Sequence, residues 1–256
     1  MEGQSNEKNQ IQTTMNVVKK WKRFLALGCS HGQMADPEAL KAILKFKESW
    51  KPDFTAHLGD AIDTAAFRAG AKGSKDEAEP VDPDLQAGLS FLKKLRPNLY
   101  LLGNHEDRLT TLSTHHNAIV ACLASKILSE INDECKAMKT LVLPYNYRQC
   151  YKLANYSLMH GTIFTENAAR DHAEVHGNVI HAHNHRAMMA TGRRSDAPVG
   201  IAVGCLIDPA KAGYAKNRKS TYAWSQGFVW GEYCDSTLVP WLHVQPQGVS
   251  EWRLPV

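Results

Sequence analysis

Short apolar runs that end on polar clusters recur along the chain and alternate with stretches of helical apolar spacing. The run 23–32, RFLALGCSHG, predicts a buried strand that ends at Gly28 and opens into a polar loop. A helix follows, with Asp36 as N-cap and Pro37 at its first position. Ala39, Leu40, Ile43, Leu44, Phe46 and Trp50 supply its apolar face, and Pro52 stops it. Residues 54–60, FTAHLGD, repeat the pattern of strand then polar loop. Residues 99–107, LYLLGNHED, repeat it again after a helix from about Asp84 to Leu95.

Between these units, residues 68–84 are rich in Gly, Pro and charge and predict a surface insertion near the loops. One long helix is expected over about 106–137. Several strands are expected over 140–161, with a turn near Ala154 and Asn155. Residues 178–186, 200–206 and 227–234 predict further short strands, the last continuing into STLVPWLHVQ. Helices in the first half and strands in the second imply one α/β domain built on two packed sheets, with helices flanking them. We expect it to span 21–245, between a flexible N-terminal arm (1–20) and a C-terminal tail (246–256).

Composition narrows the class. The chain has 256 residues, 43% of them hydrophobic, enough to bury a core without disulfides or a structural metal. No apolar run approaches the roughly 20 residues needed to span a bilayer, so no membrane partner is expected. The polar N-terminus has no signal-like apolar stretch. The six cysteines form no CxxC and no tight framework, which implies a reducing, cytoplasmic setting. A net charge of +4 suits a phosphate-bearing partner without requiring one, and the 12 histidines are the more unusual figure.

Metal ligands in a hydrolase must converge from separate strand ends. Five strand ends here carry suitable side chains: Cys29-Ser30-His31, Asp60 to Asp63, Asn104-His105-Glu106, His160-Gly161 and His183-Asn184-His185. In this order they resemble the boxes of the calcineurin-like metallophosphoesterases: D-x-H, G-D-x-x-D, G-N-H-D/E, H-G and G-H-x-H. The resemblance covers about 29–185 and implies a four-layer α/β/β/α sandwich. It also implies two divalent ions (Zn, Fe or Mn) bridged by Asp60, with a hydroxide between them as nucleophile. Cys29, His31 and His185 would complete the first ion's shell, and Asn104, His160 and His183 the second's. His105 would protonate the leaving group.

The first box departs from the family pattern, because Cys29 stands where Asp is usual. A thiolate keeps the negative charge but is softer, favouring Zn²⁺ or Fe²⁺ over Mg²⁺. Lariat-debranching enzymes, which act on nucleic-acid phosphodiesters, resemble this Cys-x-His variant. The segment VGCLIDPAKAGYA is loosely similar to a late segment of phage and prophage phosphoesterases. Residues GDAIDTAA lack the Arg that follows this box in protein Ser/Thr phosphatases. The expected activity is therefore a metal-dependent phosphodiesterase on nucleotide or nucleic-acid esters. A broad phosphomonoesterase and a non-catalytic binding module on the same scaffold are the alternatives.

Several assignments stay open at this level. Residues i and i+2 of a strand point to one side, so His181 and His183 compete with His183 and His185 as the ligand pair. Asp63 either supports the site or stabilises a turn. Arg108 either reaches substrate phosphate or pairs with Glu106 or Asp107, acidic residues that suit a helix N-terminus. His115 and His116 are expected on a helix surface, and His172 and His176 on a solvated helix face. Arg193, Arg194 and the basic run 211–220 either meet a polyanion or form a solvated loop.

Overall fold

The computed structural model describes residues 20–148, 150–212, 219–249 and 251–255; the expected arm, apart from Lys20, lies outside them. Strand β1 (Lys22–Leu27) alternates its side chains between two cores. Phe24 and Ala26 enter the space between two sheets, while Leu25 and Leu27 pack against helices on the outer face. That two-sided burial is why the run reads as continuously apolar.

Helix α1 (Pro37–Trp50) starts as its sequence predicts. Asp36 accepts a hydrogen bond from the Glu38 N–H, and Ala39, Ile43 and Phe46 are buried. Strand β2 (Phe54–His57), helix α2 (Val81–Leu95) and strand β3 (Leu99–Leu101) follow. The segment 68–84 carries a 3-10 turn (Lys75–Ala78), and its last residues already belong to α2. Asp84 is correspondingly buried, not part of a solvated insertion.

The long helix expected over 106–137 is two helices, α3 (Asn104–Leu112) and α4 (Ala118–Ala137). Asn117 caps the second by accepting from the N–H groups of Ile119 and Val120, which competes with continuation of the first. His115 and His116 therefore lie in the turn between helices.

Strand β4 (Leu141–Leu143) completes one side. Strands β5 (Tyr151–Leu153) and β6 (Tyr156–Met159) form the expected hairpin through Ala154 and Asn155. Helix α5 (Ala168–His176), β7 (Val179–His181), β8 (Ala187–Thr191), β9 (Val199–Val203), β10 (Gly227–Tyr233) and β11 (Leu238–Val244) close the chain.

One sheet has the order β11-β10-β1-β2-β3-β4, the other β5-β6-β7-β9-β8. Both are mixed: β1 to β4 pair in parallel, as do β6-β7 and β7-β9, whereas β1-β10, β10-β11, β5-β6 and β8-β9 are antiparallel. Leu58, Leu99 and Leu101 of the first sheet's side meet Leu158, Ile180 and Ile201 of the second in a shared core. Truncating such a residue to Ala costs about 2–5 kcal/mol. Helices α1 to α4 cover the first sheet and α5 the second, which gives the expected four layers. Among the described residues no helix is long and apolar enough to cross a membrane. Trp252 packs back on Phe228 and His243, so the expected tail is joined to the core.

Candidate metal centre

The carboxyl ends of β1, β2, β3, β6 and β7 meet at one end of the shared core. Backbone bonds join the first two loops: the N–H of Cys29 donates to Gly59 O, that of His31 to Asp60 O and that of Gly32 to Ala61 O, at 2.8–3.0 Å. Gly103 follows β3 in extended backbone, so it is needed for close approach more than for a sharp turn. A Cβ there would collide with Asp60.

The side chains form two adjoining groups. Cys29, His31, Asp60 and His185 make one; Asp60, His160 and His183 make the other, with Asn104 beside it. Asp60 Oδ2 is 3.7 Å from His31 Nε2 and 3.3 Å from His160 Nε2, so a single oxygen faces both groups. Asp60 Oδ1 accepts from the His105 N–H at 3.0 Å, which fixes the carboxylate's orientation. Asn104 Oδ1 is 3.0 Å from His160 Nε2 and 2.8 Å from His183 Nδ1.

Hydrogen bonding sets the ring orientations. His160 Nδ1 donates to Leu58 O at 2.7 Å, turning Nε2 toward two acceptors, Asn104 Oδ1 and Asp60 Oδ2. His31 Nδ1 donates to Asp63 Oδ1 at 3.0 Å, leaving Nε2 to face His185 Nε2 at 3.1 Å. A carboxylate or carbonyl behind an imidazole is the arrangement that orients metal-bound histidines. Lone pairs aimed at one another require a cation, either a proton or a metal ion. The separations of 2.8–3.7 Å bracket the roughly 3.3 Å edge of a tetrahedron whose ligands lie about 2.0–2.1 Å from its centre. The donor set fits divalent metals.

Charge follows the same logic. Although burial favours its neutral form, His160, His105 and His31 hold the Asp60 carboxyl well below its ordinary range. Burial lowers the His31 and His160 pKa values, but the acidic neighbours overcome it and raise both above 6.5. Burial, then the Asp60 charge, raises the Cys29 thiol well above 9.0, so a thiolate here needs a cation beside it. Burial and His160 lower His183 to about 3, leaving it neutral, as a ligand must be.

Five of these residues, Cys29, His31, Asp60, His183 and His185, have positive φ of 52–70°. Left-handed backbone costs non-glycine residues about 1–2 kcal/mol each. Such strain concentrates at functional sites.

His105 stands at the cluster's edge. Its Nδ1 donates to Asp63 O at 2.6 Å and its Nε2 is 3.9 Å from Asp60 Oδ2. Burial lowers its pKa to about 4 despite the Asp60 charge. Arg108 Nη1 donates to Asp63 O and Thr64 O, both at 3.2 Å, and so braces the second loop. Asp63 accepts from His31 and so supports the site. A cavity of 660 Å³ opens beside Asp63 and Thr64, walled in part by Lys75, Pro80 and Val81.

His181 stands apart from both groups. It packs on His172 with ring centroids 4.0 Å apart, and its Nδ1 donates to Ala182 O. The expected solvated face of α5 is likewise corrected: His172 is fully buried, donating to Ala168 O and accepting from the Thr162 N–H. Arg194 pairs with Asp196, and Lys211 donates to Ala35 O. Residues 213–218 of the basic run lie outside the described residues.

Sequence reasoning places Glu106 only at a strand end and helix start, and it misses the roles of Asp84 and His57. Fully buried Glu106 accepts from the N–H groups of Asp60, Ala61, Ile62 and Gly103, linking the second and third loops. Asp84 does the same for Gln33, Asp63 and Thr64. An acidic residue in a helix's first turn was their only signal. His57, lowered to about 3 mainly by burial, contacts Ser30 Oγ and accepts from the Gly59 N–H.

Comparison with the curated proteins returns no match. Among solved structures, a metallophosphoesterase from Sphaerobacter thermophilus is similar at 15% identity and TM-score 0.48, with 89% of each chain covered. The phosphoesterase Yfce from E. coli is similar at 12% identity and TM-score 0.38, covering 85% of this chain and 96% of that one. A novel archaeal phosphodiesterase gives 10% identity and TM-score 0.42, with 86% and 99% covered. The profile of the calcineurin-like phosphoesterase family matches residues 22–226. With its five loops inside that match, the chain belongs to the calcineurin-like phosphoesterases and is a metal-dependent phosphoester hydrolase.

Proposed function

We propose that the protein is a phosphodiesterase acting on nucleotide or nucleic-acid esters with two divalent ions. The observation that carries the reading is Asp60 Oδ2, which faces the Cys29-His31-His185 group on one side and the Asn104-His160-His183 group on the other. Two bound ions would polarise the phosphoryl oxygens, activate water and offset the charge that develops during in-line displacement. Asp60 would offset their mutual repulsion, and a Cys29 thiolate would favour zinc or iron.

The remaining chemistry belongs to His105. Its Nδ1 is fixed on Asp63 O, so Nε2 is the atom that carries a proton to the departing oxygen. Burial holds its pKa near 4 in the metal-free protein, so donation would come from a minor protonated fraction.

Of the basic residues read from the sequence, Arg108 and Lys211 donate to backbone carbonyls and Arg194 pairs with Asp196, which leaves fewer of them for the second charge of a monoester. The test compares kcat/KM for a chromogenic bis-ester and its mono-ester after reconstitution with Mn²⁺, Fe²⁺ or Zn²⁺. Preference for the bis-ester is expected. Preference for the mono-ester would establish the phosphomonoesterase alternative, and bound metal without hydrolysis of either would establish a binding module.

A further inference from the structure

We infer that Phe164 is a stacking platform for the base of a nucleotide whose phosphate sits at the metal centre; this rests on the phosphoesterase reading above. Phe164 lies in the loop after β6, four residues beyond His160. It is 73% exposed, and its ring meets the His183 ring edge-on, with centroids 6.3 Å apart and planes at 67°. An isolated exposed aromatic needs no explanation, but this one stands against a side chain of the metal cluster, at its mouth. Leaving a Phe side chain in water forgoes most of the stabilisation its burial would give, so the fold gains little from it.

The neighbouring aromatics are engaged otherwise. Tyr145 packs on His160 at 5.6 Å and donates its hydroxyl to Gly161 O; Trp224 packs on His185 at 4.4 Å and against the inter-sheet core. Phe164 alone of the three is mostly solvated. Its place in the cluster selects the ligand: Phe164 meets His183, the half-buried histidine of the set, and not the buried His31, His160 or His185. An aryl phosphate holds its ring only one oxygen from phosphorus and lacks a spacer to reach outward. A ribose between phosphate and ring carries a base outward to the rim. Stacking on an aromatic side chain tolerates any base, so the expected preference is for nucleotides as a class.

The test measures Kd by calorimetry for non-hydrolysable phosphonate analogues of AMP and of ribose 5-phosphate, using the zinc-loaded full chain. The base should improve binding about tenfold in the wild type. That ratio should fall to about one in Phe164→Ala and persist in Phe164→Trp, with metal content unchanged in both. A ratio near one in the wild type, an unchanged ratio in Phe164→Ala, or no measurable binding of either analogue would overturn the inference. Hydrolysis of esters without a base effect on binding would sink the platform alone. A base effect without hydrolysis of any ester would sink the phosphodiesterase reading alone.

Discussion

Glu106→Gln tests whether the second and third loops are held as one unit. The carboxylate accepts four backbone N–H groups, two on each oxygen: Ala61 and Ile62 on Oε1, Asp60 and Gly103 on Oε2. An amide keeps one oxygen and turns its NH₂ toward the other two donors. Two buried N–H groups then lose their acceptor, at about 1–3 kcal/mol each. Burial and the Asp60 charge raise the Glu106 pKa, so neutralising the side chain returns part of that cost. The net loss is about 3 kcal/mol, or roughly 6–12 °C in Tm for a chain of this size. Urea unfolding and calorimetry of the metal-free protein at pH 7 measure it, with Asp107→Asn as control. A helix-dipole role alone would give both variants similar losses of about 0.3–1 kcal/mol. Equal small losses in the two variants, with metal affinity intact, would refute the idea of a clamp.

Other outcomes follow from the same geometry. Cys29→Ser should lose metal and activity together, because a serine hydroxyl carries no charge to replace the thiolate; unchanged metal content by elemental analysis would contradict that. Metal content should fall in His183→Ala and His185→Ala and hold in His181→Ala, and the reverse order would restore the alternative ligand pair. Metal-free protein should lose stability as pH falls below 6.5. His57 and His183, lowered to about 3, and His105, lowered to about 4, stay neutral in the fold while the unfolded chain takes up protons. Each contributes roughly 1 kcal/mol of loss by pH 5.5. His31 and His160, whose pKa values are raised, act in the opposite sense: the fold holds more protons on them than the unfolded chain does until pH is well below 6.5, so they offset part of that loss. Urea midpoints flat between pH 7 and 5.5 would contradict the neutral assignments.

The sites that sequence exposes are those where chemistry interrupts a strong local pattern. Cys29, Asp60 and Asn104 each follow an apolar strand, so their place at a strand end is legible from neighbouring residues alone. Partners beyond the local window are not. The i, i+4 spacing of His172 and His176 looks like a solvated face, yet His172 is buried by contact with His181 on β7. Glu106 and Asp84 read as helix-start acids because their backbone acceptance runs to loops 44–46 and 20–51 residues away, respectively. The break between α3 and α4 turned on one capping side chain, Asn117, inside an otherwise helical pattern. Strand β8, AMMAT, is an outer strand with partly exposed side chains, and its Ala and Met residues lack the β-branched and aromatic character that marks a strand.

The left-handed backbone at Cys29, His31, Asp60, His183 and His185 inverts an ordinary rule of mutagenesis. Glycine usually weakens a protein relative to alanine, but at these five positions it relieves the steric conflict that alanine retains. Glycine variants there should be the sturdier and the inert ones. The conformational penalty at these positions marks where selection favoured chemistry over durability.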